Sequence, residues 1–369
     1  MTKNTNRLLS LDIFRGMTVA FMIIVNTPGS WNYVYAPLRH ASWHGCTPTD
    51  LVFPFFLFIV GVSTFFSLKK YGGKINSDSV IRILRRTVLI FALGMFLTIF
   101  PKFIRDYSTL RIFNVLQRIA LAYGIGAIIC LTVRRNFLWI VVSVILLGYW
   151  ALLALLGGAD PYALETNLAL KVDLAVLGAN HLYGGYGIPF DPEGLLGIIP
   201  SVATVIIGYF IGGLISSEKA GSKVVLKLIL LGVAAFGLGC LWGITFPINK
   251  SLWTSSYVLY TAGLGMMVLA LIYYLADVLK FQKWSTFFII LGTNAIFAYS
   301  LASMWSNTML NVKFTVDNEQ LSLYSWLFQK VFAPLAGNMN GSLLFAIFQV
   351  LLVWSITLIL YRKKVFIKL

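Results

Sequence analysis

The chain contains only three histidines, and two of them, His40 and His44, lie four residues apart between Pro37 and Pro48. Imidazole is the side chain best suited to move a proton near neutral pH, so we predict that His40 acts as a general base or an acyl carrier. Metal binding is the less favoured interpretation, because no third ligand lies nearby. Hydrogen bonding at a membrane interface is the alternative that the residues leave open.

Two further polar residues flank this segment. Asn26 lies near the end of the first apolar run, and Asp50 opens the second. The amide of Asn26 can donate to a developing oxyanion, and the carboxylate of Asp50 can orient a histidine. The structural alternatives are a helix-end hydrogen bond for Asn26 and a helix cap for Asp50. We predict that both residues join His40 as the catalytic group.

Arg118 falls inside the apolar run NVLQRIALAYG, where Asn114 and Gln117 form a polar stripe with it. A buried guanidinium needs an anionic or multi-acceptor partner. The phosphates of a thioester cofactor are one such partner, and an Asp or Glu from another helix is the alternative. Arg15, three residues after Asp12, resembles an interfacial ion pair and is the fourth residue of the predicted cofactor-binding set.

Two later polar segments carry groups suited to a polyhydroxylated, cationic ligand. The segment NHLYGGYGIPFDPEGLLGIIPS contains His181, Asp191 and Glu193, and the segment PINKSLWTSSY contains Lys250 and Trp253. Carboxylates can bind an amine, and aromatic rings can stack on a sugar. A Gly- and Pro-rich turn that leads into the next helix is the structural alternative for the first segment. We predict that these five residues bind the substrate.

The elements that must position these residues are membrane helices. The chain is 59% hydrophobic and only 11% charged, with a mean hydropathy of +0.83, whereas soluble domains carry roughly 25% charged residues. We predict an all-α polytopic membrane protein, 1–369, that forms a single domain of about ten spans. The predicted windows are 10–31, 50–68, 87–104, 112–133, 137–157, 195–215, 224–246, 257–279, 284–306 and 342–361.

The net charge of +16 does not indicate nucleic-acid binding, because the basic residues are scattered in short clusters between apolar runs. Most of the 29 Lys and Arg fall on one side of the predicted membrane. The positive-inside rule therefore predicts that both termini are cytoplasmic. The first apolar run is interrupted by Asp12 and Arg15, so we expect a retained helix and not a cleaved signal peptide. The short run 322–336, broken by Pro334, is predicted to be re-entrant or interfacial.

Seven stretches, in order along the chain, resemble the heparan-α-glucosaminide N-acetyltransferase family and its bacterial, NagX-like members. They are RLLSLDIFRGM, HASWHG with DLVFPFFLFIVG, NVLQRIALAY, HLY with DPEGLLG, PINKSLWTSSYV, LGTNAIFAYS and YRKKVFIKL.

This resemblance implies a transmembrane enzyme that moves acetyl from cytoplasmic acetyl-CoA to an amino sugar on the outer side, in the bacterial inner membrane. The essential histidine of the family falls on His40 and its asparagine on Asn26. The carboxylates fall on Asp50 and Glu193. The family's luminal domain and additional N-terminal span have no counterpart here, which favours glucosamine or another small amino sugar as the acceptor.

Two other functions remain open from the sequence. One is an amino-sugar transporter without acyl transfer, although neither repeated halves nor clearly interrupted helices are evident. The other is O-acetylation of a cell-surface glycan, which would keep His40 and change only the nucleophile. The expected partners are an amino-sugar small molecule and the lipid bilayer, with no nucleic acid and no metal. A homodimer is left open.

Overall fold

The computed structural model describes residues 8–69, 71, 75–101, 107–218, 221–316 and 319–367. Several basic residues that the orientation prediction counted, among them Lys3, Lys70, Lys74 and Lys219, lie outside this part of the chain. The longer elements are α1 (Leu9–Asn26), α2 (Val52–Lys69), α3 (Ser77–Ile99), α4 (Val115–Thr132), α5 (Leu138–Leu156), α6 (Leu168–Val176), α7 (Ile198–Ser217), α8 (Ser222–Trp242), α9 (Ser255–Tyr273), α10 (Thr286–Thr293), α11 (Ala295–Asn311), the hairpin of β1 (Lys313–Val316) and β2 (Glu319–Ser322), α12 (Leu323–Leu327) and α13 (Ala333–Arg362).

The helices follow the apolar runs because only a helix satisfies its own backbone hydrogen bonds in lipid. Polar side chains set several of the helix starts. Asn76 caps α3 by accepting from Ser79 N, and Asn167 caps α6 by accepting from Leu170 N. Local polar residues thus decide where a helix begins, and the apolar length decides how far it runs.

The prediction of an all-α polytopic membrane protein is confirmed. Eight helices in the described chain are long and apolar enough to cross a membrane. A ninth span exists if α10 and α11, which meet at an angle of 72°, count as one. The 23-residue α3 is long enough but carries Arg82, Arg85 and Arg86 in its first half. The count of ten and the cytoplasmic placement of the termini stay predictions.

Two predicted segments take a more detailed form than expected. The window 284–306 is not one straight helix, because the chain bends at Asn294 between α10 and α11. The run 322–336 is helical and continues into α13, with a break at Gly337, whose φ is +76°. A short hairpin of β1 and β2 precedes it.

The bundle packs through close helix approaches. Gly208 on α7 lies against the Phe58 carbonyl of α2, and a Cβ at Gly208 would overlap that oxygen. Gly292 at the end of α10 lies equally close to the Asp12 carbonyl of α1. Such contacts between small residues let van der Waals packing hold helices together in lipid, where no hydrophobic force acts between them.

The connecting segments gather at the two ends of the bundle. At one end, which we call the outer end, the indole of Trp43 donates to Tyr162 O, and Tyr324 Oη donates to Pro28 O. At the opposite, inner end, Asn294 bonds the backbone of residues 365 and 367 near the C-terminus. Because α1 begins at that same end, the described chain starts and finishes on one side of the bundle.

Candidate active site

His40 and Asp50 form a tightly coupled pair at the outer end. The segment between α1 and α2 folds back so that His40 Nδ1 lies 2.6 Å from Asp50 Oδ1. The second carboxylate oxygen of Asp50 accepts from Ala41 N, Thr47 N and Thr47 Oγ1, each at 3.0 Å. Asp50 is buried, with 2% of its side chain exposed, whereas 46% of His40 is exposed. The carboxylate is thus fixed by the backbone, and the imidazole that it holds is accessible.

The pair also determines which ring nitrogen of His40 is free. A carboxylate can only accept, so Nδ1 carries the hydrogen and Nε2 carries the lone pair. Lys250 Nζ contacts the same ring, 3.2 Å from Nδ1 and 3.4 Å from Nε2, and lies 3.7 Å from Asp50 Oδ1. Burial lowers the pKa of Lys250 below the ordinary lysine value, and the charges of Glu193 and Asp50 oppose that shift. An amino group therefore already lies against the imidazole.

A cavity of about 150 Å³ extends from this pair into the bundle. Its polar rim includes His40, Asn26, Lys250 and Glu193, and its apolar walls come from α1, α2, α4 and α11. Tyr299 on α11 closes one side of it. The structure therefore brings the three predicted catalytic residues to one end of a single cavity, since Asp50 lies directly behind His40.

A second charged cluster lies next to this rim. Arg111 Nε and Nη2 donate to the two oxygens of Asp191 at 2.8 and 2.7 Å, and Nη2 also donates to Glu193 Oε2 at 2.6 Å. Burial by itself would raise the pKa of Glu193, but the charges of Arg111, Lys250 and Arg118 lower it below its usual range. Glu193 is therefore an anion that faces the cavity. We call Arg111, Asp191 and Glu193 the Arg111 cluster.

Arg118 is fully buried against the same loop. Its Nη2 donates to Gly194 O at 2.9 Å, and its guanidinium lies over the ring of Trp253, 5.3 Å from the ring centre. Nε and Nη1 have no hydrogen-bond partner in the described structure. Trp253 is itself completely buried, so its ring supports Arg118 instead of presenting a face to the cavity.

Asp173 on α6 contacts this buried region, and sequence reasoning missed it. It is fully buried, and its Oδ1 accepts from Leu195 N at 2.9 Å, while Oδ2 has no partner. Burial raises the pKa of Asp173 to about 6, with the nearby Asp191 adding to the shift and Arg118 opposing it. An acid within the largely apolar stretch LALKVDLAVL was the signal that could have identified it.

The remaining members of the predicted cofactor-binding set lie apart. Asn114 donates to Thr98 Oγ1 in a neighbouring polar cavity, and Gln117 is buried with neither amide atom bonded. Arg15 lies at the inner end, where it bonds Asp12, Ser63 Oγ and Gly292 O. Arg15 and Met22, which lies on the cavity wall, are seven positions apart on α1, about 10 Å along a helix. Their role in cofactor binding stays a prediction.

The other two histidines have structural partners. His181 Nδ1 lies 2.7 Å from Leu110 O, and His44 Nδ1 lies 3.3 Å from Asn249 Nδ2. Burial lowers the pKa of His44, and Asp160 opposes that shift. Among the described residues no three His, Cys, Asp or Glu side chains come together as a metal site. Within the described parts of the chain, only His40 joins an accessible imidazole to a carboxylate.

Arg111 is the site residue that sequence reasoning most clearly missed. It connects Asp191 and Glu193 to the start of α4, although the residues are 80 and 82 positions apart. A basic residue on the outer side, against the positive-inside trend, was the available signal.

Comparison with known proteins shows the family of the chain. Residues 7–236 match the family model described as "Heparan-alpha-glucosaminide N-acetyltransferase, catalytic", which is more than half of the 369 residues. The chain belongs to this family. The resemblance predicted from the seven motifs is therefore confirmed, and the stretch that contains His40, Asp50, Arg111 and Glu193 lies inside the match.

Two relatives carry the family name itself. The human protein named "Heparan-alpha-glucosaminide N-acetyltransferase" is 28% identical over 98% of this chain, and the mouse protein of the same name is 27% identical over 80% of it. The alignments cover 60% of the human protein and 53% of the mouse protein. The chain thus spans little more than half the length of these relatives.

Proposed function

We propose that this integral membrane protein is a transmembrane N-acetyltransferase that moves acetyl from acetyl-CoA to the amine of glucosamine or a related amino sugar. The observation that carries the proposal is the Asp50–His40 pair on the rim of a cavity that continues into an apolar bundle. A base with a free ring nitrogen next to an apolar channel suits acyl transfer between an uncharged thioester and an amine. The family match supports the same chemistry.

In this mechanism His40 Nε2 takes the proton of the acceptor amine while the amine nitrogen attacks the acetyl carbonyl carbon. The new C–N bond forms, the C–S bond breaks, and the thiol of CoA leaves with the proton that His40 returns. Asp50 keeps Nδ1 protonated and stabilises the imidazolium by charge. Asn26, on the same cavity rim, is the proposed donor to the developing oxyanion.

The cavity walls fit the donor's acyl arm. Met22, Phe56 and Ile119 give an apolar lining between α1, α2 and α4, which suits a flexible thioester chain and excludes competing water. The highly charged nucleotide part does not suit such a lining, so we place it at the inner, cytoplasmic end. Arg15 is the base at that end of α1, whereas Arg118, Gln117 and Asn114 of the proposed donor set lie at the start of α4, toward the outer end.

The acceptor would enter from the opposite side. Glu193 faces the cavity as an anion, which suits an ammonium group at the rim. That ammonium group releases one proton to the outer aqueous side, and the neutral amine then attacks. Lys250 marks the approach to Nε2. With both termini in the cytoplasm, this side is the outer face of a bacterial inner membrane.

The test is product formation by the purified protein. We expect acetyl-CoA and glucosamine to give free CoA and N-acetylglucosamine in equal amounts. Both products are measured by mass spectrometry. Glucose, which offers only hydroxyls, is the matched acceptor control. Acetylation of glucose at the same rate would instead indicate an O-acetyltransferase. Amino-sugar uptake into liposomes without a thioester, with no CoA release, would contradict acyl transfer and support transport.

A further inference from the structure

A second and larger cavity opens beside the candidate active site at the outer end of the bundle. Its volume is about 660 Å³, within the range of roughly 300–1,000 Å³ that is typical of small-molecule sites. One wall is the segment 29–33 that follows α1, and the other comes from residues 306–338. We call this cavity the outer cleft. The active-site cavity, at about 150 Å³, is much smaller.

Asn26 lines both cavities. It is the last residue of α1, so the outer cleft begins where the active-site rim ends. A ligand whose reacting group lies at His40 and whose remainder passes Asn26 would therefore extend into the outer cleft. The larger part of such a ligand has no space in the active-site cavity.

The lining of the outer cleft has the chemistry of a sugar site. Trp31, with 63% of its surface exposed, and Tyr33, with 37%, present aromatic rings. Asn32, Gln329 and Asn338 add amide groups that can both donate to and accept from hydroxyls. Aromatic rings together with a few uncharged polar groups favour a ligand with apolar ring faces and many hydroxyls.

The outer cleft also lacks charge. No Asp, Glu, Lys or Arg is among its lining residues within the part of the chain that the structure describes. The Arg111 cluster, by contrast, borders the smaller cavity through Glu193. An anionic sugar unit placed in the outer cleft would therefore give up water without gaining a cationic partner.

The walls of the outer cleft are held in place by specific bonds. Gly29 N donates to Ser342 O at 3.1 Å, and Ser30 N donates to Ser342 Oγ at 3.1 Å. Tyr324 Oη donates to Pro28 O at 2.6 Å. These contacts fasten the segment after α1 to α12 and α13, so the cleft is preformed and little ordering cost is added on binding.

We propose that the outer cleft holds a second, uncharged sugar unit joined to the reacting amino sugar. The inference rests on the proposed function and extends it, because the acceptor becomes a saccharide of at least two rings instead of a single small sugar. The wall at 306–338 lies outside the residues 7–236 that match the family model. The wall at 29–33, which includes Trp31, lies inside them.

The test compares three acceptors: glucosamine, a disaccharide of glucosamine linked to N-acetylglucosamine, and the same disaccharide sulfated on its second unit. We expect kcat/KM for the neutral disaccharide to exceed that for glucosamine by about tenfold, the size of one good stacking contact. The sulfated disaccharide should show no such advantage. Equal kcat/KM for glucosamine and the neutral disaccharide would overturn the proposal.

Trp31→Ala should reduce the ratio of kcat/KM for the disaccharide over glucosamine to within about twofold of one. Trp139→Ala is the matched control, because Trp139 is 61% exposed and lies at the start of α5, at the inner end. It should leave the ratio at its wild-type value. A ratio that Trp31→Ala does not change would count against the outer cleft.

Calorimetric titration with the neutral disaccharide, without acetyl-CoA, separates this proposal from the proposed function. Binding that Trp31→Ala weakens, in a protein that acetylates no acceptor, would support the outer cleft and reject the acetyltransferase. Acetylation of glucosamine without measurable binding of the disaccharide would support the acetyltransferase and reject the outer cleft as a sugar site.

Discussion

Two neighbouring parts of the outer end use charge in different ways. The His40 segment, residues 39–51, holds one accessible imidazole against one buried carboxylate. The Arg111 cluster places a guanidinium against two carboxylates that are almost completely buried. In the first part the imidazole is open to exchange a proton, whereas in the second the guanidinium is bonded to both carboxylates. Of these three residues, Glu193 lines the active-site cavity. We infer that the His40 segment carries out the proton transfer and that the Arg111 cluster holds Glu193 in position beside it.

The largest expected effect comes from removing the imidazole. His40→Ala should lower kcat for acetyl transfer by about 10²–10⁴-fold, the usual contribution of a general base or acid. The melting temperature should stay close to that of the wild type, since the ring is half exposed. His44→Ala, four residues along the chain, is the control and should remain within a few-fold of wild-type turnover. Full amine-dependent turnover in His40→Ala would show that His40 is not the catalytic base.

Arg111→Ala tests the other part of the comparison. It leaves Asp191 and Glu193 buried without their cation, and breaking a buried ion pair in this way costs about 3–5 kcal/mol. The loss should appear as a lower melting temperature in detergent. Arg111→Lys keeps the charge but loses the bidentate fork, so an intermediate melting temperature is expected. If Arg111→Ala is as stable as the wild type but has lost turnover, Arg111 takes part in catalysis or substrate binding instead.

Asp50→Asn tests the partner of His40, because it removes the charge of the side chain and keeps its shape. The amide cannot hold the Nδ1 hydrogen of His40 as strongly, and we expect kcat to fall by up to about 10⁴-fold, but by no more than for His40→Ala. Loss of the carboxylate as acceptor for Ala41 and Thr47 should cost only about 1 kcal/mol of stability. A variant that unfolds while the few folded molecules keep full kcat would instead show Asp50 to be a helix cap.

The smallest effect is expected at Asp173, and it depends on pH. Because the pKa of this carboxyl is raised to about 6, its protonated form stabilises the fold below the unfolded pKa, near 4. That contribution is lost as pH rises through about 6. The free energy of unfolding of Asp173→Asn should therefore exceed that of the wild type by about 1–3 kcal/mol at pH 8, and its melting temperature should be higher there. Near pH 4 the two proteins should be equally stable. A difference that does not change with pH would contradict the shift.

The sequence by itself determined the class of protein and most of the helices. Apolar length is a local property, so windows such as 50–68 and 195–215 correspond closely to α2 and α7. The motifs around His40, Asp50 and Glu193 were sufficient to predict the family, which the match confirms. The bend at Asn294 was not predicted, although Gly292, Thr293 and Asn294 interrupt the apolar run there.

Only the tertiary structure decided which of these residues meet. Arg111 and Glu193 are far apart in the chain, and no local pattern predicts that the start of α4 packs on the loop before α7. The burial of Trp253 beneath Arg118, and the partnerless Oδ2 of Asp173, also depend on how separate helices pack. Hydrophobicity places a helix in the membrane, but side-chain contacts between helices choose its neighbours. The active-site rim is a product of those contacts.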